Sequence, residues 1–420
     1  MDKRTFRDGK RIIKTLIDTL NPVEIVKQAV LEERCQKEIS LFAIGKASWE
    51  MAYGAYQALG DKIKNGIVIT KYDHSKGPIG NVKISEAGHP VPDQNGLKAS
   101  KEALERFSGL GKEDILLFLI SGGGSALFEV PFNGVTLEII QDVTENLLRS
   151  GADINTINAV RKRLSAVKGG QFAEAVSPAR IKAYVISDVI GNKMGSIASG
   201  PVTPPEEDRQ EVMSIVRKYD LNKQLNNRIL NREMPSEISN VEYRILDSIE
   251  MACANAAKIA EKMGYSPYVL TTRLECEAAE AGRFIAEIAQ ELSNQKKKSR
   301  TPFQKPCALI FGGETVVTVK GKGLGGRNQE LALSVALELD GEESDTTLLS
   351  FGTDGTDGPT DAAGGIVTGT TASEIRKAGI SPREALENND SYHALDAANS
   401  LIKTGPTGTN VNDIIMALFC

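Results

Sequence analysis

The sequence predicts an α/β protein built from two domains. Short apolar segments alternate with segments whose apolar residues recur at helical spacing, a pattern typical of βαβ units around a mainly parallel sheet. The length of 420 residues suits two domains of ordinary size. A polar, asparagine-rich stretch at residues 221–240 interrupts the alternation. We therefore predict an N-terminal Rossmann-like domain with a mainly parallel sheet over residues 1–236, and a C-terminal α/β domain with a mixed sheet over residues 237–420.

Four short apolar segments in the first half are predicted strands. They cover residues 39–45 (ISLFAIG), 66–71 (GIVITK), 114–120 (DILLFLI) and 183–188 (AYVISD). The predicted helices place apolar residues at helical spacing and cover residues 46–60, 94–107 and 137–151. Ligands of parallel sheets bind outside the carboxyl ends of the strands. We therefore expect the loops that follow these strands to form the binding site.

The second half predicts a different mixture of elements. Helices are expected near residues 245–263 and 275–293, with a strand at 267–272 between them. Residues 308–323 (ALIFGGETVVTVKGKG) predict two strands joined by a Gly-Gly turn. A further strand at 346–352 (TTLLSFG) leads into a loop rich in glycine and aspartate. These elements indicate a sheet with antiparallel pairs in the C-terminal domain.

Composition excludes several classes of protein. Fifty Lys and Arg residues stand against 55 Asp and Glu, a net charge of −5 that argues against nucleic-acid binding by bulk charge. The longest purely apolar run, residues 115–120, is far too short to span a membrane. The N-terminus lacks the apolar core of a secretory signal, and five cysteines without metal spacing indicate a reduced, cytoplasmic chain. With only three histidines, any metal is expected to be a hard cation bound by oxygen.

Two loops in the first half have the chemistry of an anion site. Lys46 follows a glycine at the end of a predicted strand and precedes a helix, which places an ammonium group beside free backbone N–H groups. The second loop follows a buried strand, and its three glycines let backbone N–H groups converge on a phosphate. Its candidate phosphate ligands are Ser121, Gly122, Gly123, Gly124 and Ser125. A surface lysine and a plain flexible turn are the alternative interpretations.

The glycine loop does not match the common nucleotide-binding motifs. No Gly-Lys-Ser/Thr closes it, so it is not a Walker A loop. Leu127 occupies the position of the third glycine in the dinucleotide fingerprint, which argues against a nicotinamide cofactor.

Carboxylates form a second group of candidates. Asp188 ends a predicted strand before a Gly/Ser loop, where it suits a metal ligand or a general base, although a capping aspartate has the same setting. Asp354 and Asp357 lie in the loop of residues 352–361, whose spacing suits a hard cation but does not match an EF-hand. Asx turns are the alternative for this loop.

Arg327 is the strongest cationic candidate in the second half. It lies on a glycine-lined turn at the start of a predicted helix, a setting suited to bidentate capture of a carboxylate or phosphate. The neighbouring candidates for substrate binding are Glu314, Asn328 and Asn410. Arg161 and Lys168, seven residues apart, are interpreted first as a solvated basic helix face and second as the edge of an active site.

Taken together, these motifs resemble the glycerate 2-kinase family, whose C-terminal part is called the MOFRL domain. The resembling stretches occur in the order of the family: AIGKAS (43–48), EAGHPVPD (86–93), LISGGGSAL (119–127), NAVRKRLSAVKGG (158–170), ISDVIGNKMGSIASGP (186–201), GGETVVTVKGKGLGGRNQE (312–330), GTDGTDGPTDAAGG (352–365) and TGPTGTNVNDI (404–414). Two departures are Asn192, where the family usually has aspartate, and Arg163, where histidine is common.

The resemblance implies ATP-dependent phosphorylation of the 2-hydroxyl of D-glycerate, giving 2-phosphoglycerate and ADP. It also implies a divalent metal such as Mg²⁺, and an active site in the cleft between two α/β domains. Lys46 and Arg327 match the family's functional positions. We expect the glycine loop to hold phosphate oxygens, Lys46 and Arg327 to neutralise the two anions, and Asp188 or Asp354 to serve as general base. Metal ligands are expected among Asp188, Asp354 and Asp357.

Three alternatives stay open at this stage. The first is an NAD(P)H-dependent hydroxypyruvate reductase, and the second is a kinase of a related small hydroxy acid. The third is a sugar-acid-binding protein without catalysis, which the many carboxylates of the candidate loops do not favour. A homo-oligomer is compatible with each of them.

Overall fold

A computed structural model describes residues 4–34, 37–221, 225, 227–293, 302–343 and 345–420. The chain forms two compact units, which we call the parallel-sheet unit (Pro22–Asp247) and the mixed-sheet unit (the chain up to Asn21 together with Ser248–Cys420). The division predicted after residue 236 therefore falls inside the parallel-sheet unit, before its last strand. Residues 222–224 and 226 of the predicted junction lie outside the described residues.

The parallel-sheet unit contains six strands that all run in the same direction. They are β1 (Ile39–Ile44), β2 (Ile63–Lys71), β3 (Val82–Ala87), β4 (Ile115–Ile120), β5 (Arg180–Ile186) and β6 (Val241–Asp247). Their order across the sheet is β3-β2-β1-β4-β5-β6. This is the strand order of the doubly wound dinucleotide-binding fold, so the Rossmann-like prediction is confirmed.

Nine described helices belong to this unit: α2 (Pro22–Glu32), α3 (Ser48–Leu59), α4 (Gln94–Ser108), α5 (Gly124–Leu127), α6 (Leu137–Arg149), α7 (Ile154–Leu164), α8 (Gln171–Val176), α9 (Arg209–Lys218) and α10 (Asn227–Leu230). The three predicted helices correspond to α3, α4 and α6. The Asp93 side chain caps α4 by accepting the Gly96 N–H at 2.8 Å, and Thr136 caps α6 in the same manner.

An aromatic cluster fixes the two strands that lead into the predicted site. Phe42 of β1 stacks on Phe118 of β4 with ring centroids 4.8 Å apart. Phe128 and Phe172 pack on Phe42 at 5.0 and 5.4 Å. Rings at these separations bury large apolar areas and hold β1 and β4 in register.

The mixed-sheet unit contains a second six-stranded sheet in the order β11-β10-β9-β12-β8-β7. Its strands are β7 (Ser266–Leu274), β8 (Cys307–Gly313), β9 (Thr346–Gly352), β10 (Gly364–Thr368), β11 (Leu401–Ile402) and β12 (Asp413–Phe419). Only β7 and β8 pair in parallel; the other neighbours are antiparallel. The mixed sheet is therefore confirmed.

One predicted hairpin of this unit does not form. β8 ends at Gly313, and the second predicted strand, beyond Glu314, is a loop. The loop instead makes an isolated parallel bridge, in which Val316 pairs with Glu277. A hairpin partner would have to pair with one of the two edges of β8, but β12 pairs with one edge and β7 pairs with the other. Both ladder positions of β8 are thus filled by strands from elsewhere in the sequence.

The helices of this unit are α1 (Arg4–Thr19), α11 (Ile249–Lys262), α12 (Ala278–Ser293), α13 (Arg327–Glu338), α14 (Thr371–Lys377), α15 (Pro382–Glu387) and α16 (Ser391–Ala397). α11 and α12 are the two predicted helices. α1 joins this unit although it is the first element of the chain, because Ile12 and Leu16 are fully buried and Thr5 Oγ1 lies 2.8 Å from Thr347 Oγ1 of β9.

Two further observations concern the environment of the chain. No helix within the described ranges combines the length and apolarity needed to cross a membrane. The four described cysteines, at 253, 276, 307 and 420, are free thiols; Cys35 lies outside the described residues.

Candidate active site

The two predicted anion-binding loops lie side by side at the carboxyl edge of the parallel sheet. β1 and β4 are direct neighbours, and the strand order reverses between them, which is the usual ligand position in this fold. The backbone N–H of Lys46 donates to the Gly122 carbonyl at 2.8 Å. The structure thus brings Lys46 and the glycine loop together, as the sequence indicates.

Ser121 ties the two loops to each other. Its Oγ accepts the Ala47 N–H at 3.1 Å and lies 3.3 Å from the Ile44 carbonyl, to which it donates. Gly45, at φ +116°, allows this approach, because a Cβ atom there would overlap Ser121 Oγ. The Ser121 hydroxyl is therefore used within the protein, and we assign it to positioning the loops instead of binding phosphate.

Asp188 follows β5 and lies against the glycine loop. A Cβ atom at Gly122 would overlap its Oδ2 and lie 2.7 Å from its Cγ. The absence of a side chain at Gly122 is thus what lets this carboxylate reach the loop. Of the predicted carboxylates, Asp188 is the one that the parallel-sheet unit places beside Gly122–Gly124.

Replacing Gly122 with alanine is expected to displace the Asp188 carboxylate. We expect a fall in kcat/KM of about tenfold or more, with a loss of stability of about 1–3 kcal/mol from overpacking. Steady-state kinetics and thermal melting measure the two effects. Gly109→Ala is the matched control, since Gly109 has φ −85° and the nearest atom to a Cβ there is 3.8 Å away. Equal activity of Gly122→Ala and Gly109→Ala would contradict the prediction.

His89 is a site residue to which the sequence interpretation assigned no role. Gly123 has φ +82°, and a Cβ atom there would lie 3.0 Å from His89 Cδ2, 3.1 Å from His89 Nε2 and 3.2 Å from Lys46 Cγ. The imidazole and the lysine stem thus converge on Gly123. The EAGHPVPD stretch is the sequence signal that could have pointed to His89.

The electrostatics around His89 are positive. Burial, together with the positive charges of Lys46, Lys71 and His74, lowers the pKa of His89 to about 4. His89 is therefore neutral at pH 7. Within the described part of the chain, the Lys46 ammonium makes no ion pair, so its charge is available to a ligand.

The basic residues behind the glycine loop are buried, so the interpretation as a solvated face is wrong. Lys168 is fully buried, and its Nζ donates to the carbonyls of Ser125 and Phe128 at 2.8 and 2.9 Å. Arg161 Nη2 donates to the same Ser125 carbonyl at 2.9 Å. Glu129, 1% exposed, lies 3.5 Å from Lys168 and 3.4 Å from Arg161. Burial lowers the pKa of Lys168 to about 8. These cations hold α5 from within the unit and cannot reach a ligand from there.

The last two residues of the glycine loop face inward. Gly124 is buried, and a Cβ atom there would lie 3.0 Å from Ala198 Cβ. Ser125 Oγ lies 2.6 Å from Ser199 Oγ, and Ser199 donates to Asn158 at 2.9 Å. The Gly124 N–H donates to the Ser121 carbonyl at 3.3 Å and the Ser125 hydroxyl is occupied, so the backbone N–H groups of Gly122 and Gly123 remain as the candidate ligand-facing part of the loop.

In the mixed-sheet unit, Arg327 lies at the N-terminus of α13 and is already paired. Its Nε and Nη2 donate to the two carboxylate oxygens of Asp413 at 2.5 and 3.0 Å. Its Nη1 donates to Glu314 at 2.8 Å, and Glu314 also accepts from Asn412 at 2.9 Å. Burial alone would lower the pKa of Arg327, but the hydrogen bond and charge of Asp413 raise it. The guanidinium therefore stays charged.

Asp357 acts as the cap of α13. Its Oδ1 accepts the Asn328 N–H at 3.1 Å, and its Oδ2 accepts the N–H and the Nε2 of Gln329, each at 2.9 Å. Burial raises the pKa of Asp357. Asn328 is buried as well, and its Oδ1 accepts from Ser350 Oγ at 2.6 Å. We therefore assign Asp357 and Asn328 to helix capping and core hydrogen bonding, in place of the predicted metal and substrate contacts.

Replacing Asp357 with asparagine is expected to lower the stability of the protein. The asparagine side chain has one acceptor oxygen, whereas the Asn328 N–H, the Gln329 N–H and the Gln329 side-chain amide together use both oxygens of Asp357. We therefore expect the free energy of unfolding to fall by about 1–3 kcal/mol. The magnesium concentration for half-maximal activity is expected to stay unchanged. Asp361→Asn, on the same loop but with a side chain 66% exposed, is the control for both measurements. A shift of the magnesium requirement in Asp357→Asn alone would restore its metal role.

The remaining predicted residues lie in turns. Asp354 Oδ1 accepts the N–H and the hydroxyl of Thr356, both at 3.0 Å, and Asn410 Oδ1 accepts the Asn412 N–H at 3.3 Å. Both are Asx turns. In the described part of the chain, no group of three or more Asp, Glu, His or Cys side chains is placed to hold a metal ion.

A groove of about 780 Å³ in the mixed-sheet unit joins several of these residues. Its lining includes Arg327, Asp354, Glu314 and the exposed Val316 and Val319. Cationic, acidic and apolar surfaces in one groove suit a ligand that carries charge, hydroxyl groups and an apolar part.

Comparison with known proteins agrees with this architecture. The family model described as "Domain of unknown function (DUF4147)" matches residues 8–232, and the model of the MOFRL family matches residues 307–413. The strand order and the loop pair at its reversal point place the chain among α/β proteins that bind ligands at the carboxyl edge of a parallel sheet.

Individual relatives identify the family. The chain is 50% identical over 408 residues to the D-glycerate 2-kinase of Thermotoga maritima, covering 97% of this chain and 96% of that protein. A crystal structure of a glycerate kinase from Thermotoga maritima matches with a TM-score of 0.94 and 48% identity, over 99% of each chain. A protein of Agrobacterium vitis provisionally named hydroxypyruvate reductase is 38% identical, over 96% of this chain and 92% of that protein. The chain belongs to the glycerate 2-kinase family.

Proposed function

We propose that this protein transfers the γ-phosphate of ATP to the 2-hydroxyl of D-glycerate, giving 2-phosphoglycerate and ADP. The observation that carries the proposal is the approach of Lys46 to the Gly122–Gly124 loop at the reversal point of the sheet, in a chain of this family. Phosphoryl transfer requires positioning and charge neutralisation more than covalent chemistry by the protein. A backbone cradle beside a lysine without an ion-pair partner among the described residues supplies both.

The proposed mechanism assigns the transferring phosphate to the parallel-sheet unit. The backbone N–H groups of the glycine loop hold phosphate oxygens, and the Lys46 ammonium neutralises the charge that develops on them. Lys168 and Arg161 keep the loop in place through the Ser125 carbonyl. The loop is thereby organised before the substrates bind, which avoids reorganisation during the reaction.

Arg327 is proposed to bind the second anion. Two arms of its guanidinium are held by Asp413, while the third, Nη1, faces Glu314, whose side chain is 46% exposed. An exposed ion pair exchanges partners at little cost, so an anionic ligand can replace Glu314 on Nη1. The rigid pairing with Asp413 orients the guanidinium for that exchange.

Magnesium is proposed to enter with the nucleotide. Mg²⁺ bound to substrate phosphates needs only one or two protein carboxylates. Asp188, beside Gly122, and Asp354, in the groove, are the candidates.

Phosphorus NMR of the product from ATP, magnesium and D-glycerate tests the proposal. A resonance that splits as a monoester of a secondary alcohol supports phosphorylation at the 2-position, whereas a primary-alcohol ester assigns the 3-position. ATP with other small hydroxy acids tests the related kinase. Oxidation of NADH by hydroxypyruvate without ADP formation would favour the reductase. The sequence argues against that activity, because the fully buried Leu127 occupies the position of the third glycine in the dinucleotide-binding fingerprint.

We also propose a cytoplasmic location and a homo-oligomeric state. The free thiols of the described cysteines support a reducing environment. Light scattering of the purified protein measures the oligomeric state directly.

A further inference from the structure

His89 is a polar side chain that the mechanism above does not use. No described residue forms a hydrogen bond to its ring. The ring edge formed by Cδ2 and Nε2 lies against Gly123, the central residue of the glycine loop, next to the Lys46 stem. A half-buried imidazole without a partner, at the point where phosphate is proposed to bind, is positioned to accept a hydrogen bond from a ligand.

We propose that His89 Nε2 accepts the proton of the attacking hydroxyl of D-glycerate, as the general base of the reaction. The inference rests on the proposed function and replaces the open choice between Asp188 and Asp354. In the step, the hydroxyl O–H bond breaks and its proton goes to Nε2. The hydroxyl oxygen forms the new bond to the γ-phosphorus, the bond from that phosphorus to ADP breaks with its electron pair leaving on ADP, and the imidazolium then releases the proton to water.

The two carboxylates are less suited to this role. Asp354 Oδ1 is held by the N–H and hydroxyl of Thr356 in an Asx turn. Asp188 lies on the Gly122 side of the loop, where it is proposed to hold Mg²⁺ with the phosphates. A carboxylate that holds a cation is a weaker proton acceptor. A neutral imidazole adds no negative charge to the site and still offers a lone pair.

The cations around His89 favour its neutral form before ligands bind, and bound phosphates then favour its protonation. The cations that face it are Lys46, from the loop after β1, and Lys71 with His74, from the end of β2. Asp93, near Gly88, is engaged by the Tyr72 hydroxyl and the Gly96 N–H. Bound phosphates offset the charges of the lysines, which raises the proton affinity of His89 when a proton must be accepted.

The test is a comparison of His89→Gln with wild type in ADP formation from ATP, magnesium and D-glycerate. We expect kcat to fall by about 10²- to 10³-fold, the usual contribution of a general base, with little change in KM. The base must be neutral, so wild-type kcat is expected to fall as the pH drops through the pKa of His89 in the complex. This acid limb is expected to be missing in the residual activity of H89Q. Added imidazole is expected to restore part of the kcat of His89→Ala.

His393→Gln is the matched control, because His393 is exposed and its ring contacts a local residue, Asp390, which precedes the helix α16 that contains His393. Circular dichroism shows whether each variant is folded, and His89→Asn takes the place of H89Q if H89Q is not. Wild-type kcat in H89Q overturns the role of His89 while leaving the proposed function intact. A loss of kcat with an unchanged acid limb and no rescue by imidazole also overturns it. Absence of wild-type turnover overturns the function and this inference together.

Discussion

Replacing Lys46 with alanine is expected to lower kcat/KM by about 10³-fold, the loss typical of removing one charge that stabilises a phosphoryl-transfer transition state. Stability is expected to change little. The hydrogen bond of Lys46 to the glycine loop is made by its backbone N–H, which donates to the Gly122 carbonyl at 2.8 Å and is retained in alanine. Steady-state kinetics and thermal melting measure the two outcomes.

Two variants make the Lys46 experiment specific. Lys46→Arg keeps the charge but replaces a compact ammonium with a planar guanidinium, so we expect partial activity. Lys112→Ala removes an exposed lysine of the same unit and is expected to be fully active. If Lys46→Ala keeps the kcat/KM of Lys112→Ala, Lys46 has no role in the reaction.

Replacing Arg327 with alanine is expected to affect both activity and stability. Activity falls because the proposed anion contact of Nη1 is lost, by about 10²- to 10³-fold in kcat/KM. Stability falls because Asp413, 1% exposed, loses the guanidinium that holds both of its oxygens. The double variant Arg327→Ala/Asp413→Asn removes the uncompensated charge and is expected to recover stability.

The double variant separates the two roles of Arg327. Recovered stability without recovered activity assigns the guanidinium to the reaction, whereas recovery of both limits it to neutralising Asp413. Arg327→Lys is a second probe. A lysine cannot reproduce the two parallel hydrogen bonds to Asp413, so we expect most of the activity to be lost despite the retained charge.

Local sequence was sufficient to predict the strands that consist of a continuous, buried apolar run. The segments around β1 and β4 are buried along their whole length, and their apolar runs predict strands without reference to the rest of the chain. The loops that follow them carry Lys46 and Gly122–Gly124, and a parallel sheet collects such loops at one edge. This is why the approach of Lys46 to the glycine loop was predictable.

Residues with long-range partners were not predictable in the same manner. Lys168 and Arg161 look like a solvated face because helical spacing does not reveal what packs against the helix; in the fold, that side meets Glu129 and the Ser125 carbonyl. Asp357 looks like a metal ligand because it lies in a loop rich in glycine and aspartate. It caps α13 instead, and the two are brought together only by the fold.

The sequence by itself determined the α/β class, the family and the two loops that carry Lys46 and the glycines, because each is carried by short motifs or local patterns that can be read without knowing which segments pack together. The tertiary structure decided which polar groups face a ligand. The side chains of four predicted site residues form hydrogen bonds within the protein: Ser121, Ser125, Asn328 and Asp357. His89, beside Gly123, has no hydrogen-bond partner among the described residues. A polar group whose hydrogen bonds are already formed within the protein has few left to offer a substrate. Which groups these are depends on contacts between residues that are distant in sequence.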